Sequence, residues 1–158
     1  MEWDYIQADL IILCDSSTVG LGFYVPAKYL SFASNIPTNP LIPDILFYET
    51  FTVASAVAWA ATLPFSLHCL LIYTDLLDSM EMFHSLRAKD SYNELLLLVV
   101  QQLMANRILL HVCHVASANN TIADTLSRGF FNLTRQLVPN IHISTFEPLQ
   151  NVLGVDAP

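Results

Sequence analysis

Apolar residues fall in short dense runs separated by polar turns, and the runs follow two different periods. Residues 10–14 (Leu-Ile-Ile-Leu-Cys) are short, apolar and rich in branched side chains, which predicts a buried strand. A turn over 16–20 leads into a second strand over 21–25, joined to the first as a hairpin. Residues 26–44 carry four prolines (Pro26, Pro37, Pro40 and Pro43) and predict a loop-rich excursion with a short third strand near 29–33. Glu49, Val53, Ala56, Val57 and Ala60 then share one stripe at helical spacing, giving a helix over 49–63. The small residues of that stripe let it lie close to a sheet, and Glu49 stands at its first turn, pointing the same way.

A strand over 67–73 follows, then helices over 76–86 and 92–105, with Asn106 as the stop of the second. A strand over 108–115 and a short helix over 120–128, ended by Gly129, complete the pattern. The order β-β-β-α-β-α-α-β-α predicts an α/β fold, a mixed sheet flanked by helices. From Phe130 onward, Pro139 and Pro148 interrupt the chain and no periodicity is evident. The expected organisation is one domain over 1–129 and a C-terminal tail or linker over 130–158, which either packs along the domain or leads to a further one.

Composition narrows the function classes. A chain of 158 residues can bury a core without metal or disulfide staples. With 54% apolar residues, 13% charged residues and a mean hydropathy of +0.48, the surface is expected to be short of charge. That is the profile of a domain cut from a larger polypeptide, or of a poorly soluble one. A membrane span needs about 20 apolar residues, whereas the longest clean run in mid-chain covers only 95–100, between Glu94 and Gln101. Met1-Glu2-Trp3-Asp4 lacks the basic start of a signal peptide, so the expected location is the cytoplasm or nucleus, with no membrane partner. Cys14, Cys69 and Cys113 form no C-x-x-C pair and lie in or beside apolar runs, as small buried hydrophobes do. A net charge of −8, with six scattered basic residues, argues against strong unaided binding of nucleic acid.

Four carboxylates stand out against this background. Asp15 and Asp75 each end an apolar run, Glu49 opens the first long helix, and Asp124 lies in the last short one, four residues after Asn120. If the strands ending in Asp15 and Asp75 are parallel neighbours, both acids emerge at one edge of the sheet, where Glu49 and Asp124 can join them. Such a cluster is costly without cations, because each negative charge raises its neighbours' pKa. All-oxygen donors suit Mg²⁺ or Mn²⁺ rather than zinc. Two such ions about 4 Å apart activate a water and stabilise the leaving oxygen of a phosphodiester.

In series, Cys14-Asp15-Ser16-Ser17 with Gly20 and Gly22, Tyr48-Glu49, Tyr73-Thr74-Asp75 and Asn120-x-x-Ala123-Asp124 resemble the ribonuclease H domain of retroelement (retrotransposon) reverse transcriptase polyproteins. The stretch Ala123-Asp124-Thr125-Leu126-Ser127-Arg128 is especially close to the retrotransposon form, and the likeness spans about residues 8–129. The resemblance implies a ribonuclease H-like sheet with antiparallel β1-β2-β3 plus parallel strands. It also implies a two-metal endonuclease that cuts the RNA strand of RNA–DNA hybrids during reverse transcription. By motif, Asp15, Glu49, Asp75 and Asp124 match the catalytic, metal-binding acids. Ser16, Ser17, Asn120 and Arg128 are expected near the substrate. His114 is the nearest match to a histidine that assists product release in some members. The expected partners are a hybrid and adjoining reverse transcriptase domains.

Simpler readings exist for each residue. Asp15 and Asp75 would be polar strand ends, Glu49 an acid favoured by a helix start, and Asp124 either a solvated helix acid or a partner of Arg128 at i+4. Two other functions also fit the pattern. One is a catalytically inactive ribonuclease H-like connector of a polyprotein, favoured by the scarce basic residues. The other is a DNA nuclease of the same fold, such as a junction resolvase or transposase core, from which the 120–128 segment tilts the reading away.

Overall fold

The computed structural model describes residues 8–36, 45–76, 80 and 93–146. Its centre is a six-stranded sheet: β1 (Leu10–Ser16), β2 (Gly20–Val25), β3 (Leu30–Asn35), β4 (Cys69–Thr74), β5 (Leu109–His114) and β6 (His142–Thr145), in the order β5-β4-β1-β2-β3-β6. β1, β2 and β3 form an antiparallel meander, while β4 runs parallel to β1, β5 to β4 and β6 to β3. The mixed sheet expected from the sequence is therefore present, and the strands ending in Asp15 and Asp75 are parallel neighbours, with Cys14 opposite Thr74.

Helix α1 (Ile45–Ala60) packs on β1 and β2, and α2 (Asn93–Asn106) packs on α1. Their core takes Leu10, Ile12 and Cys14 from one side of β1, Phe23 from β2, Ile72 from β4, and Phe47, Phe51 and Val57 from α1. The other face of the sheet is covered by α3 (Thr121–Ser127), where Leu126 packs with Tyr24 and Ile141, and by α4 (Phe131–Leu137) beside it. β2 lies under helices on both faces, which is why all six of its residues are buried despite the usual alternation of a strand.

Helix α1 departs from the expected 49–63. It is already formed at Ile45, so Glu49 lies a full turn inside it rather than at its opening, and the helix-start reading of this acid does not apply. Thr50, Thr52 and Ser55 are buried on it, and each satisfies its hydroxyl by donating to the carbonyl four residues earlier (Leu46, Tyr48 and Phe51). Polar positions therefore hide inside a helix enclosed on most sides, blurring the apolar stripe. β3 begins at Leu30 because Tyr29, with φ of 52°, ends a tight turn over Pro26–Lys28 in the left-handed region. The expected helix over 76–86 and the prolines at 37, 40 and 43 lie largely or wholly outside the described residues.

The segment after Gly129 shows more order than the sequence suggested. α4 packs on α3, and β6 joins the sheet beside β3, with Ser31 Oγ donating to the His142 carbonyl at 2.8 Å. Up to Phe146, this part of the expected tail packs along the domain. Among the described residues, no helix is long and apolar enough to cross a membrane.

Candidate active site

The acids meet where β1 and β4 end side by side. Asp15 is the sixth residue of β1 and Asp75 directly follows β4, so the parallel register Cys14–Thr74 brings both to one sheet edge. Glu49 reaches the same edge from α1. One oxygen of each of these three carboxylates lies within 4.8 Å of the others. Asp15 faces the α3 side, where Ser127 Oγ donates to its Oδ2 at 2.8 Å. Glu49 comes from the α1 side: its Oε2 accepts from the Ser16 amide and hydroxyl, and its Oε1 from Thr74 Oγ1. Asp75 is half-buried, and its Oδ2 accepts from Ser117 Oγ at 3.1 Å.

Burial sets the electrostatics. Asp15 is 4% exposed and Glu49 1%. Desolvation, reinforced by Glu49 and Asp75, pushes the Asp15 carboxyl up to about 8. Desolvation also pushes Glu49 up, to about 7, against the pull of the hydrogen bonds from Thr74 and Ser16. Two carboxyls that would resist ionisation near neutral pH therefore share a pocket of oxygen donors. The donor set fits a hard divalent cation, whose charge would hold both in the ionised form. Beneath them, burial lifts the Cys14 thiol well above its usual range, and Glu49 and Asp15 raise it further, so Cys14 stays a neutral core residue.

Asp124 belongs to the same cavity but not to the three-acid group. The cavity, about 510 Å³, is lined by all four acids together with Ser117 and Arg128. Asp124 Oδ1 accepts from Arg128 Nε at 2.8 Å, the i, i+4 pairing that the simpler reading of this residue foresaw.

The other expected substrate contacts divide. Arg128 lines the cavity and is exposed. Ser16 lines it too, but its amide and hydroxyl are both committed to Glu49. Ser17 lines it as well, while its Oγ donates to the Ser127 carbonyl and accepts from the Val19 and Gly20 amides, shaping the hairpin turn. Asn120 corrects the sequence reading: it is 1% exposed, and its side-chain amide donates to the Cys14 carbonyl at 2.9 Å. It pins the end of β1 one residue before Asp15 from a place closed to substrate. Its Oδ1 is buried without a partner among the described residues. His114 ends β5, exposed, and does not line the cavity.

Thr74, Ser117 and Ser127 escaped sequence reading although each bonds an acid. Thr74 and Ser127 stand inside the motif stretches quoted for the resemblance but drew no role there, and Ser117 offered only a polar residue beside an apolar run.

No protein-family model and no curated protein matches the sequence. Solved structures do match in fold. Ribonuclease H1 from the halophilic archaeon Halobacterium salinarum superposes with a TM-score of 0.60 at 13% identity, over 78% of this chain and 97% of that one. LC11 ribonuclease H1, solved in complex with an RNA/DNA hybrid, gives 0.60 at 13%, over 75% and 93%. The N-terminal ribonuclease H domain of a Mycobacterium tuberculosis protein, solved as a maltose-binding-protein fusion, gives 0.57 at 16%, over 76% and 96%. The chain has the ribonuclease H fold, with an acidic group at the shared edge of its central parallel strands.

Proposed function

We propose that this chain is a metal-dependent endonuclease of the ribonuclease H type, cutting the RNA strand of an RNA–DNA hybrid. The observation that carries the reading is the convergence of Asp15, Glu49 and Asp75 from β1, α1 and β4 on a single point. The hybrid bound to one structural neighbour supports the substrate class.

Asp15, Glu49 and Asp75 would hold a divalent cation, with Asp124 completing the set for a second. Two such ions supply charge neutralisation at the phosphate and lower the pKa of the attacking water. The protein's part is positioning. Ser16 and Thr74 fix both oxygens of Glu49, Ser127 fixes Asp15 and Ser117 fixes Asp75, so little reorganisation remains when the phosphodiester arrives. In-line attack of water on phosphorus leaves a 5′-phosphate and a 3′-hydroxyl, as the family resemblance implies.

The likeness of the segment from Asn120 to Arg128 to the retrotransposon form supports a role in reverse transcription of a retroelement, within a longer polyprotein. With a net charge of −8, affinity for the hybrid would come mainly from the cations and from adjoining reverse transcriptase domains. The rival reading, an inactive connector of the same fold, is favoured by that charge and by the ion pair that occupies Asp124.

The test is cleavage of a labelled hybrid at low salt, with Mg²⁺ or Mn²⁺ against EDTA, for wild type and Asp75→Asn. Metal-dependent cutting of the RNA strand, lost in a folded Asp75→Asn, is expected. Full activity in that variant, or in Asp15→Asn, would sink the assignment. A folded wild type that stays inactive even with its neighbouring domains attached would establish the connector.

A further inference from the structure

We propose that Arg128 is an exchangeable counter-ion for Asp124: it occupies the fourth carboxylate in the free chain, yields it to a second cation, and then turns to a backbone phosphate of the substrate. The inference rests on the metal-dependent reading above and adds a coupling between cation and nucleic acid through one side chain. Asp124 lines the acid cavity yet stands outside the 4.8 Å group formed by the other three. What it does bond is Arg128 Nε, at 2.8 Å.

Both side chains keep much of their exposure, 54% for Arg128 and 40% for Asp124, so the pair is solvent-screened and weakly held. A buried structural ion pair would resist exchange, whereas this exposure leaves the pair open to it. Only Nε is engaged, which leaves the terminal nitrogens of the guanidinium without a hydrogen-bond partner among the described residues. Arg128 also lines a second cavity, of about 440 Å³, beside Gly20, Ser34 and Gly129. It therefore stands on the ridge between two adjoining concavities. Among the described residues it is the basic side chain lining the acid cavity. A planar guanidinium with open donors suits a phosphate oxygen.

While Arg128 holds Asp124, it both neutralises that carboxylate and repels an incoming dication. Removing it should tighten the weaker of two cation positions, and should also remove one phosphate contact.

The experiment titrates Mn²⁺ calorimetrically into the full chain as wild type, Arg128→Gln, Arg128→Lys and Arg135→Gln. Arg135, exposed on α4, lines neither cavity and controls for net charge. Arg128→Gln is expected to bind the weaker ion about three- to tenfold tighter, with the stronger ion unchanged. Arg128→Lys and Arg135→Gln should follow wild type. In the same variants, with Ca²⁺ present to suppress cleavage, the log-log salt dependence of hybrid binding should lose about one unit of slope in Arg128→Gln alone. An unchanged weaker ion in Arg128→Gln, or an equal gain in Arg135→Gln, overturns the proposal while leaving the acid site standing. A folded wild type that takes up no Mn²⁺ overturns both.

Discussion

Ser16 donates twice to one oxygen of Glu49, its amide at 3.0 Å and its hydroxyl at 2.7 Å from Oε2. The pair links the end of β1 to the second turn of α1, and Thr74 of β4 takes the other carboxylate oxygen. A helix and two parallel strands are thus tied together through one acid.

Ser16→Ala keeps the amide bond and removes the hydroxyl. A hydrogen bond to a charged group is worth roughly 1.5 kcal/mol or more, so we expect the unfolding midpoint to fall by ~5 °C. Cleavage should fall about tenfold, the equivalent of about 1.4 kcal/mol in transition-state stabilisation. Thermal melts and the hybrid assay check the two effects separately, and a variant matching wild type in both would show that the hydroxyl holds nothing in place.

The raised carboxyls make stability fall with pH in the metal-free protein. Asp15 and Glu49 release their protons near 3.8 and 4.5 when unfolded but near 8 and 7 when folded. Between about 4 and 8 the folded chain therefore holds more protons, and raising the pH across that window favours unfolding. In EDTA the melting midpoint should drop steadily from pH 5 to pH 8, and Asp15→Asn should flatten the slope. Added Mg²⁺ should stabilise more at pH 8 than at pH 5, because it needs the ionised carboxylates. A midpoint in EDTA that rises over this range would contradict the burial argument.

Gly22 lets α3 lie directly on β2. A Cβ there would meet Leu126 Cβ at 2.7 Å and the Ser127 amide nitrogen at 3.0 Å. Gly22→Ala must push away the helix that carries both Asp124 and the partner of Asp15. Overpacking of this kind costs about 1–3 kcal/mol. Activity should fall along with the midpoint, a coupled loss that melts and the cleavage assay on one preparation would reveal or exclude.

What could be read from the chain depended on whether the signal was local. Asp15 and Asp75 were legible because each closes an apolar run, and parallel pairing of those runs sufficed to bring them together. Ser127 was not, because its bond to Asp15 joins residues 112 apart and exists only once α3 crosses the sheet. Asn120 misled for a related reason: a polar residue beside a catalytic-looking acid suggests contact with substrate, yet its amide is used up on a backbone carbonyl of β1. The C-terminal elements were hidden by exposure. α4 buries only Thr134 and leaves Phe131, Leu133 and Leu137 substantially open, while β6 is a four-residue edge strand of mixed polarity. Neither carries the apolar period by which an element announces itself.

Ending the chain at residue 129, where the sequence places the domain boundary, would strip β6 from β3 and remove Ile141 from its contact with Tyr24 and Leu126. The exposed β3 edge would offer unpaired backbone groups to other molecules. We expect the shortened chain to melt several degrees lower and to self-associate, as read by light scattering alongside thermal denaturation. A monomeric shortened chain with an unchanged midpoint would place the boundary at 129.

Because Glu49 is delivered from one face of the sheet and Asp15 is held from the other, the acidic cluster exists only when both helical layers are docked at once. A ligand of that cluster would select the fully assembled chain over any half-docked intermediate. By mass action it would then act as a clasp on tertiary structure, protecting amides on both faces from hydrogen exchange although it touches only one edge.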